Sequence, residues 1–597
     1  MRTFPQVLRE NAVHADRAVT FMRASGEERR VSFPDLWKES KKRAQALAGL
    51  GLKKGDRVAI VLPEPDEFVL TFMACLTAGL VAVPMYPPQT LAKMEAYGDT
   101  VRHILSASGA RLLITSDSLR DMLAAHLVAG DTRLAVESSL RGQGDNAPEP
   151  APVGLEDLAF LQFTSGSTSK PKGVLVTFKN LAANAHAIMV DGLKSTPADK
   201  GVSWLPLYHD MGLIGFVVAP LYTLVQVMFL PTMAFIRRPS IWLEAIHKFR
   251  GTITFAPNFA YGLAARAVTD AQSKDWDLSC MRALGCGAEP IQADVLRVFL
   301  DRFEKNGLAP SSMLPSYGMA ESTLAITFWD IDAELRTDTV DVEAMRAGRA
   351  TPAEAGSPSH AMELVACGKP FPGHELKIAN NDGEALGDRA VGEIWVRGPS
   401  VTAGYFGDPR STENAFGAGW LRTGDLGYVA DGDVFICGRA KDLIILNGRN
   451  YYPQDIEAVV SKTAGVRDGQ CVSFSVLDEK GAERCVIVAE AKLGPRAGTA
   501  ADVIAQILQA VRSEIGIVAG EVLLIKRGTL PKTSSGKVRR SEAKRRLEMN
   551  ELELLGDGEP NVDSVPPPAL STVPPSMIDM TPARFSTSEQ QQPLGGE

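Results

Sequence analysis

Short, uninterrupted apolar runs alternate with longer amphipathic stretches through the first half of the chain. "RVAIVLP" (57–63) and "VAVPM" (81–85) have the length and β-branching of buried strands, "DEFVLTFMACLTAG" between them reads as a helix, and "ARLLITS" repeats the strand pattern. This alternation predicts α/β layers with largely parallel strands. Near residue 390 the pattern changes. "VGEIWVRG" and "YVADGDVFICG" predict strands, the second folded back on itself at Asp431 and Gly432, because Asp-Gly suits a tight primed hairpin turn. A third pattern begins after Arg439: a helix at "PQDIEAVVSK", strands at "CVSFSVL" and "RCVIVAEAKL", a helix at "AADVIAQILQAVRSEI" and a strand at "EVLLIKRG". The fold class expected is therefore α/β. A large N-terminal domain (1–440) of layered α/β subdomains plus a β-rich subdomain precedes a small α+β C-terminal domain (441–555). From Gly556 to Glu597 the chain turns to "VPPPALSTVPPS" and "STSEQQQPLGGE", a Pro/Ser/Gln-rich composition that predicts a disordered tail. No internal repeat is visible.

Composition narrows the function classes. At 597 residues and 45% hydrophobic, the chain exceeds what one core supports, which points to a multidomain enzyme. A net charge of −8 argues against a nucleic-acid partner, whose recognition would need a strongly basic face. The N-terminal "MRTFPQVLRENAVHADRAV" lacks the apolar core of a secretory signal, so a cytoplasmic location is expected. Seven scattered cysteines show neither disulfide density nor paired metal spacing, which predicts reduced, mostly buried thiols. The longest apolar stretch, "GFVVAPLYTLVQVMFLPTMAFI", is broken by Pro220, Gln226 and Pro231 and reads as core, with no membrane span expected.

Candidate chemistry begins at "FTSGSTSKPKG" (163–173). Small residues let backbone N–H groups approach phosphate oxygens, hydroxyls add donors, and lysine adds charge. An NTPase phosphate loop is excluded: Gly166 and Gly173 are too far apart, and Val174 stands where a lysine is needed. Taken alone, the stretch reads as an ordinary polar turn. Its company changes that reading. In order along the chain stand "SWLPLYHDMG" (203–212), "SYGMAES" (316–322), "LRTGDLG" (421–427), "GRAKDLI" (438–444) and "LPKTSSGKVRR" (530–540). Over roughly residues 5 to 550 this set resembles the adenylate-forming superfamily of acyl-CoA synthetases, luciferases and peptide-synthetase adenylation domains. One departure is Ser169, which stands where that superfamily usually has Gly.

The resemblance implies a two-step reaction using ATP and Mg²⁺: a carboxylate attacks the α-phosphate to give acyl-AMP and pyrophosphate, and a thiol then takes the acyl group. By the same resemblance, Thr164, Ser165, Gly166, Ser167, Thr168 and Lys172 would grip the β- and γ-phosphates. Gly287, Ala288 and Glu289 would lie at the adenine with Tyr317, Gly318, Met319 and Ala320, Tyr317 stacking near the base. Asp425 would accept the ribose hydroxyls, assisted by Arg439. Glu321, with Thr164, would bind Mg²⁺. Lys537 and Lys172 would be catalytic, as would His209 next to the acyl carboxylate. Lys441 would be the hinge of a mobile C-terminal domain. The basic run Arg539, Arg540, Lys544, Arg545 and Arg546 reads as a solvated helix face or a surface for an acidic protein.

Within the superfamily, "AVPMYPP" (82–88), "PNFAYGLAARAV" (257–268), "YGMAES" and "GRNYYPQDIE" (448–457) are similar to the fatty acyl-AMP ligase branch. The long stretch between Trp329 and Gly368, with an insertion at about 331–366, matches that branch as well; from length alone it is equally a tolerated surface loop. The branch implies a long-chain fatty acid substrate and an acyl carrier protein, supplied as a separate chain, as acceptor, often one serving a polyketide or lipopeptide synthase. Two alternatives stay open: an acyl-CoA synthetase using free CoA, and a non-catalytic nucleotide- or acyl-binding protein.

Overall fold

The computed structural model describes residues 1–88, 94–127, 132–141, 150, 152–164, 170–354, 361–446, 449–477, 483–494, 497–533 and 537–555. The phosphate-loop positions 165–168 and the tail 556–597 lie outside the described residues. A six-stranded sheet runs, in spatial order, Arg133–Val136, Leu112–Thr115, Arg57–Val61, Val81–Pro84, Leu158–Thr164, Lys172–Thr177. Its neighbours are parallel until the last pair, an antiparallel hairpin that sets Thr164 opposite Lys172. The helix Pro65–Thr77 explains the unbroken apolar run between the first two predicted strands: every residue but Glu67 is buried. Asp66 is tolerated there because Arg23 and Arg29 meet its carboxylate at 2.6 and 2.7 Å.

A second sheet of nine strands has a parallel centre made of Gln226–Phe229, Lys200–Ser203, Ile253–Ala256, Ala283–Cys286 and Met313–Gly318. All these strands point their carboxyl ends the same way, and four of them, all but Gln226–Phe229, run into "SWLPLYHDMG", "PNFAYG", "GAEP" and "GMAES". Open parallel sheets bind ligands at that edge. A third, antiparallel sheet carries Glu375–Ala379, Gly392–Arg397, Trp420–Ala430 and Asp433–Arg439. Its tight turn has φ of 53° at Asp431 and 84° at Gly432, the primed geometry expected of Asp-Gly.

Within 331–366, Thr337–Asp341 pairs antiparallel with Ala361–Val365 as the two arms of a hairpin, and a short helix Val342–Arg346 is capped by Asp341. The Tyr428 hydroxyl (2.8 Å) and Arg389 (2.9 Å) fix Asp338, while Val340 and Met345 pack with Tyr428 and Phe435. The hairpin thus sits on the β-rich sheet. Beyond Lys441, strands Val466–Leu477, Glu483–Ala491 and Glu521–Ile525 are backed on one face by helices Pro453–Ser461 and Ala500–Glu514 around an apolar core of Ile456, Ile487 and Ile507, and on the other by the helix Arg540–Glu548, whose Ala543 packs with Val472 and Phe474. Among the described residues no helix is long and apolar enough to cross a membrane. The cysteines are free thiols, all buried except the half-buried Cys280.

Trp242 lies at the centre of the large core. Fully buried, it donates its indole N–H to the Thr254 hydroxyl at 2.9 Å and meets Tyr261, Phe235 and Trp204 edge-on at 5.4, 5.8 and 6.3 Å. Truncation removes this ring and leaves a Thr254 hydroxyl short of a donor. Trp242→Ala is expected to destabilise the protein by about 3–5 kcal/mol, read from the urea unfolding midpoint; a loss below about 1 kcal/mol would contradict this packing.

Candidate active site

The described site residues gather where the two main sheets and the small domain meet, around a cleft of about 3410 Å³. That is several times a single small-ligand pocket, roughly 300–1,000 Å³. Its size reflects merging: a polar side, an apolar side walled by Trp204, Leu205, Met233, Phe259 and Leu263, and the crevice between large body and small domain run together.

The polar side is organised on Asp425. The antiparallel hairpin sets Asp425 opposite Arg439, and Arg439 Nε approaches its Oδ1 at 3.1 Å. From the nine-stranded sheet, the Tyr317 hydroxyl donates to Oδ2 at 2.7 Å. The two donors hold this buried side chain in place. Asp425 raises the Arg439 pKa in turn. Gly318, Met319 and Ala320 continue from Tyr317 to Glu321, whose Oε1 accepts the Tyr405 hydroxyl at 2.7 Å. Burial pushes the Glu321 carboxyl upward. Lys172 lies on the other side of the same phenol: its ammonium donates to Ser411 Oγ at 2.6 Å and stands 5.3 Å from the Tyr405 ring centre. Thr164 and Lys172 thus close the base of the loop whose positions Ser165, Gly166, Ser167 and Thr168 lie outside the described residues.

His209 follows the strand Lys200–Ser203, its Nδ1 2.6 Å from Asp210 Oδ1. The turn needs Gly212, since a Cβ there would stand 2.3 Å from the Pro206 carbonyl oxygen. A π-helical turn, Leu213–Val218, comes next, a distortion common beside functional groups. Burial favours neutral Asp210, yet His209 and Lys537 together hold its pKa below the usual range. Gly287, Ala288 and Glu289 follow the strand Ala283–Cys286; Glu289 Oε1 accepts the Phe259 backbone N–H at 2.6 Å.

Lys537 reaches this group from the small domain. Its backbone N–H donates to Thr533 Oγ1 at 3.1 Å and its carbonyl accepts the Thr533 N–H at 2.7 Å, closing the loop it ends. Burial lowers its pKa, while Asp210, Glu289 and Asp425 raise it and Arg439 opposes them. Lys441 sits in the 3₁₀ turn Ala440–Asp442 at the junction, its pKa lowered by burial and by Arg439. Of the basic run, Arg540 departs from the solvated-face reading: it binds Asp442 at 2.8 Å and Glu457 at 2.7 Å. Sequence reasoning missed Tyr405, Ser411 and Asp210. Asp210 lay inside a quoted motif, whereas Tyr405 and Ser411 reach Glu321 and Lys172 across 84 and 239 residues, with no spacing to reveal them.

The donor set also fits a divalent cation beside a polyphosphate. Among the described residues no cluster of three or more His, Cys, Asp or Glu could cage a metal. Mg²⁺ needs no such cage: one or two carboxylates, water and substrate phosphates suffice, and Glu321 offers the carboxylate.

A lysine from a small domain, set among carboxylates at the carboxyl edge of a parallel sheet, is the layout of an adenylate-forming enzyme. Residues 8–406 match the model described as AMP-binding enzyme, and the chain belongs to that family. Residues 441–555 match the model described as Disco-interacting protein 2-like, AMP domain. A Caulobacter vibrioides protein named "Putative acyl-CoA synthetase" is 39% identical over 505 residues, 84% of this chain and 87% of its own. The long-chain-fatty-acid–AMP ligase FadD26 of Mycobacterium tuberculosis is 34% identical over 587 residues, 90% of this chain and 96% of its own. A structure from work on fatty acyl-adenylate ligases of E. coli and L. pneumophila superposes with a TM-score of 0.85 at 34% identity, covering 92% of this chain and 98% of that one.

The Asp425 arrangement generates a test. Asp425→Asn keeps an oxygen for the Tyr317 hydroxyl but removes the charge, so KM for ATP is expected to rise about 10- to 100-fold, the value of a hydrogen bond to a charged group. Pyrophosphate release at varied ATP reads this; an unchanged KM would remove Asp425 from the nucleotide site.

Proposed function

We propose that this enzyme activates a long-chain fatty acid as acyl-AMP and passes the acyl group to the phosphopantetheine thiol of a separate acyl carrier protein. The carrying observation is the juxtaposition in one cleft of Lys537, the Tyr317–Asp425–Arg439 group and the apolar wall of Trp204 and Phe259. In the first step a fatty carboxylate oxygen attacks the α-phosphorus and the bond to pyrophosphate breaks. Lys537 and His209 would face the reacting carboxylate and α-phosphate, Lys172 and the 164–168 loop the departing phosphates, and Asp425 with Arg439 the ribose. Negative charge spreads over phosphoryl oxygens in the transition state, where preformed cations in a dry site act most strongly. A bound Mg²⁺, held by Glu321 and Thr164, would neutralise phosphate charge. In the second step the thiol sulfur bonds to the acyl carbon, AMP leaves, and the thiol proton is released. Lys441 would be the pivot between the two.

The name of FadD26 and the superposed fatty acyl-adenylate ligase support the fatty acyl reading. The Caulobacter relative's name favours a second one, transfer to free CoA. The hairpin of 331–366 favours accumulation of acyl-AMP over ready transfer to free CoA, and a docked carrier would have to offset the same cost. Arg346 donates to the Ile515 carbonyl at 2.8 Å and lies 4.4 Å from the Tyr451 ring centre, and Glu343 pairs with Arg449 at 2.9 Å. These contacts tie the hairpin to the small domain and would resist its rotation. Disfavouring the thiol-accepting state by about 3 kcal/mol would cut flux through it roughly a hundredfold.

Lys537→Ala is expected to lower acyl-AMP formation by about 10²- to 10³-fold with ATP binding retained; near-normal pyrophosphate release would defeat the catalytic assignment. With wild-type enzyme, ATP and a panel of fatty acids, mass spectrometry should find acyl-AMP accumulating and little acyl-CoA when free CoA is added. Shortening the 331–366 hairpin should raise acyl-CoA output while adenylation stays near normal. Ready acyl-CoA formation by wild type would favour the CoA reading.

A further inference from the structure

Lys172 belongs to the six-stranded sheet and Glu321 follows a strand of the nine-stranded one, yet the segment 402–412 touches both. Its backbone runs along the strand Lys172–Thr177. The Leu175 N–H donates to the Gly404 carbonyl at 3.0 Å and the Phe406 N–H to the Gly173 carbonyl at 2.8 Å, with Val174 and Tyr405 bridged antiparallel between them. Toward the other sheet, the Thr402 N–H donates to the Glu321 carbonyl at 2.9 Å. Only glycine fits at 404, where φ is 130° and a Cβ would stand 2.3 Å from Thr412 Cγ2. Thr412 accepts the Tyr405 N–H at 3.0 Å and donates to the Asp408 carbonyl at 2.9 Å. Tyr405 is thereby fixed between two groups of the site. Its hydroxyl donates to Glu321 Oε1 at 2.7 Å, and the Lys172 ammonium lies over its ring at 5.3 Å. Ser411, on the helix Pro409–Ala415 capped by Asp408, accepts from the same ammonium at 2.6 Å. Tyr405, Lys172 and Glu321 all line the cleft. Packing alone would be served by phenylalanine, whereas the hydroxyl is committed to one carboxylate oxygen.

We propose that Tyr405 is a positioning residue that sets the metal-binding carboxylate and the phosphate-facing lysine beside each other: its hydroxyl holds one oxygen of Glu321 so that the other is presented to the Mg²⁺ of the nucleotide, and its ring keeps the Lys172 ammonium alongside. This rests on the reading of Glu321 as the carboxylate that meets Mg²⁺ and of Lys172 as a cation for the departing phosphates. A carboxylate on a flexible stem gives up rotamer freedom when it binds a cation, and one already fixed by a hydrogen bond has less to lose. Mg²⁺ demands near-octahedral geometry and takes few protein ligands, so the orientation of a single carboxylate weighs heavily. Outer partners of a metal ligand supply that orientation. The ring acts on Lys172 in a complementary way. A phenol face and the Ser411 hydroxyl hold the ammonium without carrying an opposing charge, so its own charge stays available to phosphate oxygens.

Tyr405→Phe removes the hydroxyl and leaves the ring. Calorimetric titration with ATP, once with Mg²⁺ and once with EDTA, reads the contribution of the metal to binding. The tightening that Mg²⁺ brings to wild type should fall about tenfold in Tyr405→Phe, while metal-free ATP binds within about twofold of wild type. Single-turnover acyl-AMP formation should need about tenfold more Mg²⁺ to reach half its maximal rate, KM for fatty acid should stay within about twofold, and the melting temperature should not move. Tyr405→Leu, which also removes the ring, should slow further in a way that added Mg²⁺ does not restore; equal rates for the two variants at saturating Mg²⁺ overturn the part given to the ring. An unchanged Mg²⁺ gain and requirement in Tyr405→Phe overturn the proposal. So does a lowered melting temperature with an unchanged Mg²⁺ gain, the mark of a packing residue alone. Glu321→Ala tests the reading beneath it: no Mg²⁺ gain in wild type, or a full gain in Glu321→Ala, overturns both, whereas a gain lost in Glu321→Ala and intact in Tyr405→Phe overturns only the role of Tyr405.

Discussion

An ammonium can leave water only where anions receive it, and that constraint shapes this molecule around Lys537. Asp210, Glu289 and Asp425 raise the affinity of that lysine for its proton, and they come from three separate segments of the large body. Two of these segments follow parallel strands of the nine-stranded sheet and the third belongs to the β-rich hairpin. No single element can receive the small domain. The surroundings of this lysine therefore exist only where the nine-stranded sheet and the β-rich sheet are both assembled.

Parallel strand direction explains why these groups converge. Right-handed crossovers bring each strand back with its carboxyl end on the same edge, so loops distant in sequence become neighbours there. The apolar wall arises from the same edge: Trp204 and Phe259 are the residues that follow two adjacent strands closely. Polar and apolar chemistry share one cleft because both are built from strand ends.

Much of this was legible in the sequence. Buried strands such as Arg57–Val61 declare themselves by continuous apolar runs, and Asp431-Gly432 declares its turn because few other pairs accept two left-handed residues. The α/β class, the α+β C-terminal part and the grouping of Tyr317, Asp425, Arg439 and Lys537 followed from ordered motifs. What periodicity could not show is pairing across large separations. Tyr405 and Ser411 lie in a turn-rich segment that gives no hint of Glu321 or Lys172 as partners, and the cap that Glu289 supplies to Phe259 joins segments 30 residues apart. The basic run misled for a related reason: a helix face looks solvated until its partners, Asp442 and Glu457, are known.

Those two partners of Arg540 carry a mechanical consequence. Glu457 belongs to a helix of the small domain, and Asp442 directly follows Lys441. By clamping both, Arg540 welds Asp442 to the body it precedes, while Arg439 is pinned upstream by Asp425. Under the proposed pivot at Lys441, the backbone free to turn would be only Arg439, Ala440 and Lys441, with rigid mounts on either side. A swivel so short would turn by discrete dihedral steps and favour a few defined stations over a continuous sweep.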